Sequence, residues 1–209
     1  MEKIIIAITG PSGAGKTTLG NRLISMDDFL TPVHTTTREP RNDDEIGFYR
    51  YLDHLQFRQK VELNDFLFWS GDSDKVDKKY GNYYGMLNED YMHLSYHNRL
   101  IFFVSYKDID YLLRLKSEGY NIRLVNLTYQ NIDETMRERL LLGERNHTQA
   151  DIEKRIACAK NYEQVYSKKI ESYNILRIYT DLCNSDETYN IVKKKIIRWG
   201  DLNGVLGFI

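Results

Sequence analysis

Cysteine is nearly absent. The chain of 209 residues holds two, Cys158 and Cys183, and neither sits in a metal-ligating spacing. A disulfide framework is therefore excluded, and a reduced, cytoplasmic compartment is the expectation. An excess of one charge is missing too. The 29 basic residues stand against 30 acidic ones, for a formal net charge of −1. That balance gives no general electrostatic case for a nucleic acid polymer or an anionic membrane as partner. Long hydrophobic runs are lacking as well. The apolar stretch in Met1 to Thr9 is too short for a signal peptide or a membrane span, and no cleavage site follows it. Neither a repeat nor a low-complexity tract occurs, and Lys193 to Lys195 reads as a solvated helix face.

What is present is enough apolar material, 42% of residues, to build the core of one α/β domain with subdomains. The 16 tyrosines are many. They fit either amphipathic rings lining a wet cleft or half-buried strands. Ile4–Ile8 is a continuous β-branched run, as in a parallel strand buried on both faces. A helix is expected from about Lys16 to Met26. Leu100–Val104 reads as a second buried strand, followed by a helix that Asp108 caps and Gly119 ends. Ile122–Leu127 is a third strand. Ile132, Met136 and Leu140 then fall at helical spacing, and Gly143–His147 is a polar loop bearing an arginine. Thr148 with Asp151 makes a capping box for a long helix carrying Ile152, Ile156, Ala159 and Ile170. Ile175–Tyr179 is the last strand. This alternation predicts a doubly wound parallel sheet. Residues 31–98 break the rhythm with clustered tyrosines, acids and turn glycines, which predicts an inserted, partly antiparallel subdomain.

Gly10-Pro11-Ser12-Gly13-Ala14-Gly15-Lys16-Thr17 matches G-x-x-x-x-G-K-[ST] between a strand and a helix. Glycines let backbone N–H groups turn toward phosphate oxygens, and the helix N-terminus adds positive potential. Lys16 suits the β/γ-phosphates and the Thr17 hydroxyl suits Mg²⁺, with Thr18 beside it in the nucleotide-binding run. The motif points to a nucleoside triphosphate without naming the reaction, since ATPases, GTPases and kinases share it. A second phosphate site is marked by Arg38 and Arg41, which flank Pro40. Two forked guanidiniums on a stiff turn suit a dianionic phosphate, although a solvated surface turn has the same letters.

Taken in order, these motifs resemble the guanylate kinase family. The resemblance rests on residues 10–19 and on Thr36-Thr37-Arg38-Glu39-Pro40-Arg41. Gly47 with Tyr49, Asp65 to Trp69, Gly81 to Gly85, and Lys154-Arg155 with Ala157 and Ala159 continue it. It spans roughly residues 3–181. It implies a P-loop NTPase-type doubly wound sheet with an inserted mixed-β acceptor subdomain and a lid. The core would be 1–30 and 99–209, the acceptor subdomain 31–98, and the lid near 143–150. It implies transfer of the ATP γ-phosphoryl group to a nucleoside monophosphate with Mg²⁺. Arg38, Arg41, Tyr49 and Tyr84 would hold the acceptor phosphate. Arg145 and Arg155 would close on the transferring group beside Lys16, with Arg139 assisting, and the closed lid would keep water out.

The family's base-reading positions are changed. His34 and Met86 stand where the resemblance calls for serines, and Phe68 stands where it calls for a glutamate. Phe103 and Ser105 replace two strand-end aspartates. A site that pairs a polar base edge discriminates by ~10⁴–10⁵-fold and an apolar pocket by only ~10–200-fold, so strong guanine selection is not expected. Asp72, Asp74 and Asp77, in an apparent insertion over Gly71–Tyr80, are the alternative source of an acid. Asp108 is a candidate outer-shell group for Mg²⁺.

The favoured expectation is a nucleotide kinase with an altered acceptor site, acting as monomer or homodimer on a small phosphate acceptor. Two other readings remain at this point. One is a sugar-phosphate kinase resembling the ribose 1,5-bisphosphate phosphokinases, which also lack the guanine readers. The other is a non-catalytic interaction module, which the retained Lys16 and Thr17 disfavour. The segment Gly200–Ile209 reads as an apolar tail, packed on the sheet or forming a dimer contact.

Overall fold

The β-branched run at the start of the chain forms β1 (Ile4–Thr9), buried from Ile5 onward in the computed structural model. It lies in a parallel four-stranded sheet ordered β6-β1-β7-β8. The other members are β6 (Arg99–Phe103), β7 (Ile122–Thr128) and β8 (Leu176–Tyr179). The expected strands are all found, with ends moved by about one residue. Residues 3–40, 47–71, 73, 75–142, 147–172 and 175–202 are described, and side chains at 167–172 and 196–202 lie outside the description.

A second sheet is ordered β3-β2-β5-β4. It comprises β2 (His34–Thr36), β3 (Tyr49–Tyr51), β4 (Phe66–Gly71) and β5 (Tyr83–Leu87). β2 pairs parallel to β3 and antiparallel to β5, and β4 is antiparallel to β5, so this sheet is mixed. Helices α2 (His54–Glu62) and α3 (Asn88–His93) flank β4 and β5 in sequence. The Asp53 side chain caps α2 in a complete capping box with Gln56.

The chain divides into two compact units, one of Met1–Ile5 with Phe29–Ile122 and one of Ile6–Asp28 with Arg123–Ile209. In the first unit, Phe57, Val76 and Tyr83 form a buried cluster against Leu52, Val61, Phe66 and Trp69. Arg50 forks onto Asp90 of α3, with nitrogen to oxygen distances of 2.5 and 2.9 Å, and so ties that helix to β3. The unit also holds α4 (Ile109–Ser117), which Gly119 follows at φ 98°. Asp108 precedes α4 as expected but does not cap it. Its carboxylate turns back to the Ser105 amide, closing a capping box on the preceding turn.

The second unit contains α1 (Lys16–Asp27), α5 (Ile132–Leu142), α6 (Gln149–Ser172) and α7 (Ser185–Leu202). Ile152, Ile156 and Ala159 are buried along α6, and Thr148 and Asp151 make the expected cap, while the Ile170 side chain lies outside the description. One expectation is corrected here. Lys193 is not merely solvated: its ammonium lies 2.7 Å from the buried Asp27 carboxylate, which also accepts the Tyr189 hydroxyl at 2.7 Å. This network clips α7 to the end of α1, and only Lys194 and Lys195 are exposed. Of the final apolar segment, residues 203–209 lie outside the description.

Candidate active site

The loop between β1 and α1 takes its shape from three glycines in the left-handed or extended-positive region, Gly10 (φ 147°), Gly13 (φ 78°) and Gly15 (φ 83°). Gly10 is irreplaceable for a second reason. A Cβ there would sit 2.1 Å from the Leu127 carbonyl oxygen of β7. Helix α1 starts from Gly15 with no side-chain cap and no acidic residue in its first turn. Its terminal N–H groups and the positive end of its dipole are thus not neutralised by the helix itself, as anion binding requires. Thr17 and Thr18 are exposed on this first turn.

Four consecutive carbonyl oxygens of the loop are engaged by side chains. Lys16 Nζ donates to Gly10 O and Pro11 O, both at 2.8 Å. The Tyr129 hydroxyl donates to Ser12 O at 3.1 Å, and Arg139 Nη1 donates to Gly13 O at 3.2 Å. Arg139 is itself anchored on Thr180 O and lies over the Tyr129 ring, 5.2 Å from its centroid. Burial pushes the Tyr129 phenol up to about 12, although Arg139 pulls the other way, so this hydroxyl stays a donor. Arg155 of α6 reaches the remaining polar atom, donating to Ser12 Oγ at 2.8 Å. Helices α5 and α6, which present these two arginines, are bridged by Arg137 to Glu153 and Lys160 to Asp133. With its carbonyl edge held in this way, and apart from the Ala14 amide, which donates to Pro11 O at 3.3 Å, the loop can turn backbone amides toward phosphate oxygens.

The sequence expectation named Lys16, Arg139 and Arg155, and the structure brings all three to the loop. It missed Tyr129. The signal for it is positional, because Tyr129 directly follows β7, next to β1 in the sheet. Ligands of parallel sheets gather at such carboxyl ends of strands.

Several of the residues expected at the acceptor, His34, Tyr49, Phe68, Tyr84 and Met86, lie on one face of the mixed sheet. Residues paired across strands point to the same face, so Tyr49, His34, Met86 and Phe68 form one row. Tyr51, Thr36, Tyr84 and Ser70 form the next row on that face. Phe68 reaches it only through a β-bulge. Phe66 pairs with Leu87 and Phe68 with Met86, so the extra residue between them turns Phe66 and Phe68 to opposite faces. Phe66 packs on Phe57 and over Gly85, where a Cβ would lie 2.7 Å from the Phe66 ring. Phe68 packs on Phe102 and Tyr111.

Arg38 follows β2 on the same face. Its guanidinium lies 4.5 Å from the Tyr49 ring centroid and 5.6 Å from that of Tyr51, and Nη1 donates to Glu39 O at 3.0 Å. Its backbone amide is held by the Thr36 hydroxyl at 3.2 Å. Tyr84 is 41% exposed and presents its ring outward. Phe68 and Met86 are instead almost closed off, at 7% and 0% exposure. They make the floor beneath the face rather than an open wall.

His34 sits in that floor with its ring 5.7 Å from Phe48, 5.8 Å from Phe103 and 6.3 Å from Tyr49. Its Nε2 is buried without a hydrogen-bond partner among the described residues. Burial alone lowers the imidazole to about 4, so it is neutral near pH 7. Ser105 belongs to a separate polar set. Its Oγ lies 3.1 Å from Ser70 Oγ, and Asp108 Oδ2 accepts from the Ser105 amide at 2.7 Å and Ser70 Oγ at 3.4 Å. Burial raises the Asp108 carboxyl to about 6, against the pull of these hydrogen bonds and of Lys107.

Arg41 and Arg145, expected at the acceptor phosphate and the lid, lie outside the described residues, as do Asp72, Asp74 and the lid arginine's neighbours at 143–146. Asp77 is accounted for locally, since its carboxylate accepts the Lys79 amide at 3.0 Å. Among the described residues no group of three or more His, Cys, Asp or Glu is placed to hold a metal ion, and no helix is long and apolar enough to cross a membrane.

A parallel α/β sheet with a glycine phosphate loop, plus a mixed sheet carrying an arginine on a tyrosine shelf, defines the class of P-loop phosphotransferases. The comparisons with known proteins narrow it. Residues 1–194 match the family model for guanylate kinase. A guanylate kinase of Campylobacter jejuni is 28% identical over 198 residues, covering 92% of this chain and 88% of that one. One from Clostridium tetani is 40% identical over 87 residues, which is 41% of this chain and 38% of the relative. In three dimensions the fold is similar to a crystal structure of guanylate kinase from Anaplasma phagocytophilum, with a TM-score of 0.61 at 15% identity over 95% and 86% of the two chains. The chain belongs to the guanylate kinase family and is a nucleotide kinase.

Proposed function

We propose that this protein transfers the γ-phosphoryl group of ATP to a guanine-type nucleoside monophosphate, in the cytoplasm and with Mg²⁺. The observation that carries the reading is the phosphate loop, whose carbonyls are tied back by Lys16, Tyr129 and Arg139 while Arg155 stands on Ser12. The loop from Gly10 to Gly15, with Lys16, Thr17 and Thr18, would hold the triphosphate. The exposed Thr17 hydroxyl fits a Mg²⁺ that otherwise keeps water and phosphate oxygens as ligands. When bound, that ion supplies charge neutralisation at the phosphates. Lys16 exchanges its loop carbonyls for phosphate oxygens, and Arg139 and Arg155 add positive charge against the negative charge of the transferring phosphoryl group in the transition state.

In the other unit Arg38, with Tyr49 and Tyr84, is the acceptor-phosphate clamp, and residues 31–98 serve as the acceptor subdomain. The stacking of Arg38 on Tyr49 orients its planar fork before any ligand arrives, so less freedom is lost on binding. Arg41 completes the clamp, and Arg145 acts from the lid over residues 143–150. Family membership favours this reading over the sugar-phosphate kinase and the non-catalytic module.

The test is a coupled ADP-release assay with GMP. Turnover that is saturable in GMP, and that falls by at least ~10²-fold in Lys16→Ala, is the expected result. ADP release that is independent of any monophosphate, or that survives Lys16→Ala, contradicts the reading.

A further inference from the structure

Helix α6 carries a charged residue on its buried side. Ile152, Ile156 and Ala159 are buried, and Glu163 continues their helical spacing. Its carboxylate takes one hydrogen bond from each of two strands. Thr128 Oγ1, at the end of β7, donates to Oε1 at 2.7 Å, and Arg177 Nη2, on β8, donates to Oε2 at 3.0 Å. Arg177 stands in register with Asn126, and Asn126 shares a face of β7 with Thr128, so both donors rise from one side of the sheet. Thr128 is fully buried, and the Glu163 and Arg177 side chains are only 19% and 21% exposed.

A pair so placed is a poor source of stability, because desolvation of the two charges offsets most of their attraction. This one is also incomplete, since Arg177 Nε is buried with no hydrogen-bond partner among the described residues. What the carboxylate supplies is direction. Ile152, Ile156 and Ala159 bury area without fixing how far α6 turns or slides, because apolar contact is non-directional. The bridges from α5, Arg137 to Glu153 and Lys160 to Asp133, join side chains more than a third exposed and hold weakly. A carboxylate held from two strands fixes both the turn and the slide.

The same helix meets the phosphate loop by two routes. Arg155, about two turns back from Glu163, donates to Ser12 Oγ, and Tyr129, which follows Thr128, donates to Ser12 O. Glu163, Thr128, Tyr129, Ser12 and Arg155 thus close a circuit of helix, strand end and loop, all within the second unit. In such a circuit a turn of α6 carries Arg155 off the loop. We propose that Glu163 is a positioning residue for phosphoryl transfer, which sets α6 on the sheet so that the Arg155 guanidinium stands at Ser12. The inference rests on the phosphotransferase reading above, in which Arg155 serves the transferring group.

The experiment measures kcat, the KM values for ATP and GMP, and the melting temperature of the wild type and of a variant combining Glu163→Leu with Arg177→Leu. The double variant should lose ~10-fold in kcat with both KM values within about twofold, and should melt near the wild type because an apolar pair replaces the charges. Added to Arg155→Ala, the same two substitutions should cost less than about twofold more, since no Arg155 is left to place. Additive losses, or an unchanged kcat, overturn the assignment. Glu163→Gln should stay within about threefold of the wild type, its amide oxygen accepting from Arg177 and its amide N–H donating to the Thr128 hydroxyl. A loss there as large as in the double variant also overturns it.

A readout independent of turnover is the ¹⁵N resonance of the Arg155 guanidinium. In the double variant it should move to the position it takes in Ser12→Ala, and an unmoved resonance overturns the proposal. Thr128→Val, which removes one arm at nearly the same shape, should shift it the same way and serves where the double variant does not fold. Turnover of GMP with an unmoved resonance leaves the kinase reading standing and removes this one. No ATP-dependent turnover of GMP in the wild type removes both.

Discussion

The two proposed phosphate sites are built on different principles. The triphosphate loop is a contiguous stretch in which backbone conformation does the chemistry, and side chains serve mainly to hold carbonyls back. The acceptor face is assembled from four short strands, and what it presents is decided by register and by one bulge. A backbone site tolerates little substitution, since a clash at one glycine propagates to every amide. A side-chain site can be rewritten one residue at a time while its frame persists. That difference fits a loop that keeps the family's letters in a chain whose expected base-reading positions carry others.

The comparison is broken most directly at Gly10. Gly10→Ala places a Cβ against the Leu127 carbonyl and at a φ that alanine rarely adopts. We expect loss of ATP-dependent turnover by ~10²-fold or more together with a fall in thermal stability, read by the coupled assay and a thermal melt. A variant with normal activity would show that the loop is not backbone-determined.

Arg38→Ala tests the opposite half. Acceptor KM should rise and kcat fall, by ~10- to 10²-fold combined, while ATP affinity measured by calorimetry stays nearly unchanged. An equal loss of ATP binding would erase the separation of roles between the two sites.

A pH series on stability probes the His34 floor. Its folded value of about 4 lies below the ordinary 6.5, because burial disfavours the charged ring. Below pH 6.5 the unfolded chain therefore takes up a proton that the native state refuses. The contribution is complete above pH 6.5 and is lost as pH falls toward 4, by up to about 3 kcal/mol. Asp108 acts with the opposite sign, its raised carboxyl favouring the native state as pH falls from about 6 toward 3.8. Subtracting the urea-unfolding free energies of His34→Phe from those of the wild type removes the Asp108 part. The difference should decline from pH 7 to pH 4, and a flat difference would mean that the imidazole is not buried in solution.

The smallest effect is expected at Tyr129→Phe. The Ser12 carbonyl loses one neutral hydrogen bond, about 1 kcal/mol, so the KM for ATP should rise only a few-fold with acceptor KM unchanged.

Much of this was legible before any coordinates. The run Ile4–Ile8 declared a doubly buried strand by composition, and Gly10 to Thr17 declared a phosphate loop because backbone chemistry of that kind needs a short contiguous pattern. Thr148 and Asp151 likewise announced their helix, since a cap is local. Arg38 drew notice through the proline and threonines beside it, and its guanidinium lies over the Tyr49 and Tyr51 rings. The burial of Phe68 and Met86 was not legible in this way. Their identity was plain, but the closure of Phe68 against Phe102 and Tyr111 depends on residues more than thirty positions away. Lys193 looked solvated for the same reason, because its partner Asp27 lies at the other end of the chain.

By itself, then, the sequence determined the strand–loop–helix that cradles phosphate and the change of letters at His34, Phe68 and Met86. Both are properties of neighbouring residues, where propensity and spacing act directly. Tertiary structure alone decided that Tyr129 and Arg139 reach the loop carbonyls while Arg155 reaches Ser12 Oγ, and that a bulge turns Phe68 onto the His34 face. It also left one imidazole nitrogen, His34 Nε2, buried without a partner among the described residues. These depend on register and packing between distant segments, where a shift of one residue reverses the face a side chain occupies.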